Sequence, residues 1–174
     1  MLKKIDLSND VDKINIRIVS NLHQSGRITK VELSEKVGLS PTPCWERMKR
    51  LEQSGIIKGY YADINLRRML HISYFRVEIS LNNYCPETAQ KFDMYVKSRP
   101  EIVECEAVLG DLSYIIKIAS SSVEKYQEII ESFQNTCPVS FEYTTYPVTK
   151  TIKDDKDLHI QTLYESLYPE IPRY

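Results

Sequence analysis

The stretch Leu39 to Glu52, LSPTPCWERMKRLE, decides how the rest of the chain is read. Its helix signals are independent of one another. Ser40 can accept from the free amides of a first turn, Pro41 sits where a missing N–H costs nothing, and Gly55 lies just past the end. At about 100° per residue, Cys44, Met48, Leu51 and Gly55 fall on one side, and Thr42, Glu46, Lys49, Arg50 and Gln53 on the other. One side packs and the other is free to enter a groove.

Upstream, Lys30 to Val37 reads as a shorter helix with Val31, Leu33 and Val37 apolar and Thr29 as its cap. Only Gly38 and Leu39 separate it from Ser40, which is the spacing of a helix-turn-helix corner. Earlier still, Val11, Ile14, Ile18, Val19 and Leu22 recur at helical intervals and predict a first helix ending before Gly26. Any three-helix bundle shares this patterning, so charge has to discriminate. Residues 1–60 hold 11 Lys and Arg against 7 Asp and Glu, and the remainder 12 against 17, so the net charge of −1 divides into +4 and −5. A basic first part suits phosphate contact, and an acidic remainder suits self-association or small ligands. An ordinary solvated basic surface is the alternative for so modest an excess.

The run Ile28 to Asn65, ITKVELSEKVGLSPTPCWERMKRLEQSGIIKGYYADIN, resembles the DNA-binding half of the Lrp/AsnC (feast/famine) transcription regulators. Ser-Pro-Thr-Pro-Cys, Ser40 to Cys44, is its most specific part. The likeness continues to about residue 150, leaving only the tail outside it. It implies a winged-helix-like head that binds DNA.

The nine candidate DNA contacts differ in what supports them. Thr42, Glu46, Lys49 and Arg50 project outward, so a hydroxyl, a carboxylate and two cations can meet base edges or phosphates in a major groove. Ser40 begins the same helix. Trp45 lies at the border of the two faces, where the family often has a smaller apolar residue; it either touches sugar or a thymine methyl, or covers the three-helix core. Arg47 flanks the packed face, which favours a buried stem and an acidic partner over DNA. Arg27 and Lys30, near the start of the middle helix, are phosphate contacts or solvated charges.

A second domain follows. The chain of 174 residues exceeds the usual single-domain size, and at Tyr60 helical periodicity gives way to alternating β-branched and aromatic runs. Residues 56–65 read as a strand and linker. Beyond them the order is strand 72–81, helix 87–98, strand 101–109, strand 113–119, helix 122–135 and strand 139–149. That is βαββαβ, a ferredoxin-like sheet with helices on one face. The whole chain is therefore α+β: a tri-helical helix-turn-helix domain over 1–59, a hinge over 60–71, a ferredoxin-like effector and oligomerisation domain over 72–153, and an extension over 154–174.

The sheet face without helices needs cover. Tyr74, Tyr114, Ile116, Ile118, Tyr143 and Thr145 are read as lying on it, which makes a second copy the natural partner. A homodimer would present two reading helices to a pseudo-palindromic site in double-stranded DNA, with half-sites about one turn or a multiple apart. The resemblance adds tetramers or octamers built from such dimers.

A second motif, Leu109 to Ile118, LGDLSYIIKI, joins the middle strands. It is similar to the Gly-Asp-aromatic-Asp-Tyr pattern with which family members line an amino-acid pocket between dimers. Gly110, Asp111 and Tyr114 match; Leu112 and Ser113 replace an aromatic and an acid. The effector-site candidates are Leu109, Gly110, Asp111, Leu112, Ser113 and Tyr114. A Gly-Asp tip exposes amides and a carboxylate able to hold a zwitterion's two charges, although alone it is also an ordinary tight turn.

Catalysis finds little support. His23, His71 and His159 lie in different segments with no nucleophile at a defining spacing. Cys44, Cys85, Cys105 and Cys137 lack paired ligand spacing, so no metal is expected; without a signal peptide they read as reduced cytoplasmic thiols. There is no phosphate loop and no membrane span. In the tail, Leu158, Leu163, Tyr164 and Leu167 suggest a short amphipathic helix before Pro169, either strapped across a neighbouring subunit or mobile. The reading is a non-enzymatic, cofactor-free, sequence-specific transcription regulator responding to an amino-acid-like effector through its oligomeric state. The alternatives are a metabolite-binding regulatory subunit and a nonspecific DNA packager.

Overall fold

The computed structural model describes residues 12–169, which form two compact units. One is drawn from Met1–Asp63 with Ile152–Tyr174 and the other is Ile64–Thr151. Val11 and the last five residues of the tail lie outside the described residues.

In the first unit, the head, α1 spans Lys13–Gln24, α2 Lys30–Val37 and α3 Pro41–Gln53. Asp12 opens α1 by accepting from the Asn15 amide at 2.7 Å, and Thr29 opens α2 by accepting from Glu32. Gly38, at φ 74°, closes α2 in a left-handed conformation that side chains resist. Ser40 is the residue before α3 as expected, but its hydroxyl makes no capping bond. A cap hydroxyl normally reaches the second or third amide of the helix, and the third residue here is Pro43, which has none.

The head core is Ile18, Leu33, Val37, Cys44, Met48 and Leu51, with Ile14, Val19, Leu22, Ile28, Leu39 and Ile57 around it. Val31 is not part of it. Two residues from Leu33 is about 200° around a helix, and the side chain is 57% exposed. The strand expected within 56–65 does not form. A strand requires a partner for its amides, and among the described residues that stretch has no ladder.

The extension packs on the head of its own chain. Its helix α7, Ile160–Leu167, lies against α1, with half-buried Ile160 beside Val19, Leu22 and His23. The preceding turn is tied down twice: the His23 Nε2–H donates to the Asp155 carbonyl at 2.9 Å, and Lys156 pairs with Asp63 at 2.5 Å. Ending the chain at Thr151 removes this cover from α1. We expect a loss of about 1–2 kcal/mol, or on the order of 5–10 °C in the head's melting temperature. The fluorescence of Trp45, the chain's single tryptophan, reports that melt.

The second unit begins with α4, Leu66–Leu70, and continues as β1 Ser73–Leu81, α5 Pro86–Lys97, β2 Ile102–Ala107, β3 Tyr114–Ser120, α6 Val123–Thr136 and β4 Phe141–Pro147. The strands form one antiparallel sheet in the order β2-β3-β1-β4. This is the ferredoxin-like βαββαβ arrangement.

Register corrects the expected open face. Val77 pairs with Ile116 and with Thr145, and Ile79 pairs with Tyr114 and with Tyr143. Tyr114, Ile116, Ile118, Tyr143 and Thr145 therefore share the face of Phe75, Val77 and Ile79, under the helices. Only Tyr74 stays on the open face. That face is charged rather than apolar: Glu104 bridges Arg76 at 3.1 Å and Lys117 at 2.6 Å, Lys117 lies over the Tyr74 ring, and the Tyr146 hydroxyl donates to Glu78.

Candidate nucleic-acid interface and ligand hairpin

The outer face of α3 carries Thr42, Trp45, Glu46, Lys49 and Arg50, all exposed. Trp45 follows Thr42 by three residues and precedes Lys49 by four, which puts the indole within this face rather than at its border. It is 43% exposed and is not one of the buried residues of the head core. The Lys30 and Lys49 ammonium groups each lie 5.4 Å from the centre of its ring. Lys30 thereby joins the α3 face from the start of α2. Arg27 is exposed in the loop before Thr29, and Ser40 is exposed at the head of α3.

Arg47 goes elsewhere. Its guanidinium pairs with Asp12 and donates to the Asn15 side chain at 3.0 Å, tying the middle of α3 to the start of α1. Its charge is used inside the head rather than on the outer face of α3.

Asp12 is the counterpart that sequence reading missed. It both caps α1 and anchors α3. Burial pushes its carboxyl up, but the Asn15 amide and the Arg47 guanidinium together outweigh this and hold it below the ordinary carboxylate value. A carboxyl depressed in the folded state adds stability that is present above its unfolded pKa and lost as pH falls through the folded one. The head should therefore loosen in acid, below the usual aspartate range, and Asp12→Asn should flatten that part of its stability profile. Asp12→Ala should cost about 1 kcal/mol at neutral pH through the lost cap. Chemical denaturation at several pH values, followed by Trp45 fluorescence, measures both.

Tyr60 is a second brace outside the expected set. Its hydroxyl donates to Glu52 at 2.9 Å, fastening the loop after α3 back onto that helix. Burial first, and then the Glu52 carboxylate, push its phenol up to about 12. No periodicity links positions eight apart across a helix end, so nothing in the sequence signals the pair.

The hairpin between β2 and β3 is pinned to β1. The Ser113 amide donates to the Ile79 carbonyl at 2.8 Å, the Leu81 amide donates to the Ser113 hydroxyl at 3.1 Å, and the Ser80 hydroxyl donates to the Asp111 carbonyl at 3.3 Å. Gly110 turns the tip at φ 142°. Leu109 is 105% exposed, Asp111 is exposed and Leu112 is half-buried.

Ser113 and Tyr114 point inward instead. Tyr114 is 2% exposed, packs its ring 4.5 Å from that of Phe92 and directs its hydroxyl to the Ala89 carbonyl. Burial and the neighbouring Asp93 carboxylate hold its phenol far above the ordinary value. The six candidates thus divide into an outward tip, Leu109 to Leu112, and a two-residue root that supports it.

Comparison with known proteins matches both units. Residues 11–58 fit the winged helix-turn-helix DNA-binding family model, and residues 75–158 fit the Lrp/AsnC ligand binding domain. The chain is 36% identical over 143 residues to the transcriptional regulatory protein DoeX of Halomonas elongata, covering 82% of this chain and 90% of that one. It is 37% identical over 153 residues to the leucine-responsive regulatory protein of Escherichia coli K12, covering 88% and 93%. Among solved structures, a transcriptional regulator of Neisseria meningitidis in complex with L-Met superposes with a TM-score of 0.79 at 27% identity, covering 88% of this chain and 99% of that one. The Bacillus subtilis LrpC structure does so with a TM-score of 0.73 at 27% identity, over 83% and 99%.

Proposed function

The chain belongs to the Lrp/AsnC family of transcription regulators, and we propose that it reads a pseudo-palindromic operator through α3 and responds to an amino acid or related metabolite at the Leu109–Leu112 tip. The observation that carries the reading is the outer face of α3. It presents a hydroxyl, a carboxylate and cations together, and Lys49 and Arg50 have no carboxylate partner among the described residues. Thr42, Glu46 and Arg50 meet base edges; Arg27, Lys30, Ser40 and Lys49 meet phosphates. Arg47, held by Asp12, supports the helix instead.

The effector is a small zwitterion. Exposed tip amides receive its carboxylate and the Asp111 side chain its ammonium. The Neisseria relative was solved with L-Met and the Escherichia relative is named for leucine, so the amino-acid class is the starting point. Leu112 and Ser113 stand where the family pattern has an aromatic and an acid, which argues against carrying leucine over. A thermal-shift screen of amino acids and their catabolic derivatives tests the class: a true effector raises the melting temperature in proportion to the logarithm of its excess over Kd.

Two copies associate through the open sheet face, and dimers assemble further. A face bearing Arg76, Glu78, Glu104 and Lys117 is self-complementary across a twofold axis, because each sign finds the other. Effector binding between dimers then shifts assembly and with it the spacing of the reading helices. A mobility-shift titration with genomic fragments tests the regulator reading. Site-selective, salt-sensitive retardation supports it; equal retardation of all fragments points to a DNA packager. Sedimentation as a monomer at micromolar concentration would overturn the dimer.

A further inference from the structure

We infer that Trp45 is a positioning residue whose indole holds the Lys30 and Lys49 ammonium groups, one from each limb of the helix-turn-helix, as a paired clamp for DNA phosphates. The inference rests on the DNA-reading role of α3 proposed above. It assigns the indole a task other than touching a base or covering the core.

Three observations converge on it. Both ammonium groups sit 5.4 Å from the ring centre, within the range of a cation–π contact. Lys49 lies one turn after Trp45 on α3 and Lys30 opens α2, so the ring bridges the two helices of the corner. Among the described residues neither lysine pairs with a carboxylate, in contrast to Lys36 on Glu32 at 3.3 Å and Arg47 on Asp12.

The choice of an aromatic holder has a consequence for binding. A carboxylate partner neutralises a lysine and must be abandoned before the ammonium can serve a phosphate. The face of an indole holds an ammonium without cancelling its charge. Lysine stems are also costly to order, and a stem already resting on a ring has less freedom left to lose. Trp45 thus gives the head two full positive charges in a preset arrangement, on a unit whose other described cations include Arg47 and Lys36, already paired.

The test uses the full chain and two duplexes, one enriched from a random library by the unmodified protein and one of mixed sequence. Trp45→Ala and Trp45→Leu are expected to bind both about tenfold more weakly. The slope of log affinity against log salt should stay unchanged, because both lysine charges remain. Lys30→Ala and Lys49→Ala should each flatten that slope by about one. Trp45→Phe, which keeps a π face, should restore binding to within about twofold. Without DNA, the ε-methylene protons of Lys30 and Lys49 in lysine-labelled protein should show upfield ring-current shifts that disappear in Trp45→Leu. Melting curves verify folding of each variant.

The inference is overturned if Trp45→Leu binds as well as Trp45→Phe, since apolar bulk would then suffice. It is equally overturned if Trp45→Ala flattens the salt slope, or if the two lysines show unshifted protons in the unmodified chain. Failure of the unmodified chain to enrich any duplex from the library would sink the DNA-reading role itself.

Discussion

Replacing Lys49 and Arg50 together by alanine should weaken operator binding by roughly a hundredfold, about 3 kcal/mol, while leaving the head folded. Both side chains are exposed on the outer face of α3, and neither pairs with a carboxylate among the described residues, so their removal exposes no buried charge. Alanine is also the best helix former, which protects α3 itself. The dependence of log affinity on log salt should fall by about one unit, because Lys49 is assigned to phosphate and Arg50 to a base edge; a fall of about two would place Arg50 on phosphate instead. Titrations at several salt concentrations separate these cases. Arg47→Ala supplies the contrast: it should lower the melting temperature of the head through loss of the Asp12 contact, with little change in salt slope.

The largest stability effect is expected at Phe133. It is 1% exposed at the centre of the second unit, its ring 4.9 Å from Phe141, 5.3 Å from Tyr95 and 6.0 Å from Phe92. Phe133→Ala removes a full aromatic side chain and leaves a cavity that three rings cannot all collapse into, at a cost of about 3–5 kcal/mol. Self-association and effector response should fail together if the surfaces proposed for them are right, because both are placed on this sheet. Trp45 lies in the other unit, whose core shares no residue with this one. Its fluorescence melt should move little while far-UV circular dichroism shows early loss of the second unit. Simultaneous early melting by both probes would refute that independence.

The helices and strands were legible because their signals act over short distances. Thr29 and Gly38 frame α2, Pro86 starts α5, and the alternation of Phe75, Val77, Ile79 and Leu81 marks β1. Each needs only the residue and its near neighbours. The outward set on α3 follows from the same periodicity, as does the tip at Gly110.

Most of what failed depended on partners distant in the chain, and one failure, the Ser40 cap, on a proline three residues away. Tyr114, Ile116 and Ile118 alternate correctly, yet alternation says only that they share a face, and the pairing of Val77 with Ile116 decides which face. Ser40 occupies the expected position, but the amide it would serve belongs to a proline. Residues 56–65 carry strand-forming side chains without a neighbouring strand among the described residues.

LSPTPCWERMKRLE by itself determined a helix with one packed side and one free side, because a 3.6-residue repeat sorts side chains before any tertiary contact exists. Only the tertiary structure decided which charges on that helix are free: Arg47 meets Asp12 from another helix, Trp45 receives Lys30 from the opposite limb of the corner, and the tail returns to α1. Charge pairing and ring contacts act across space rather than along the chain, so they become visible once the fold brings their members within a few ångströms.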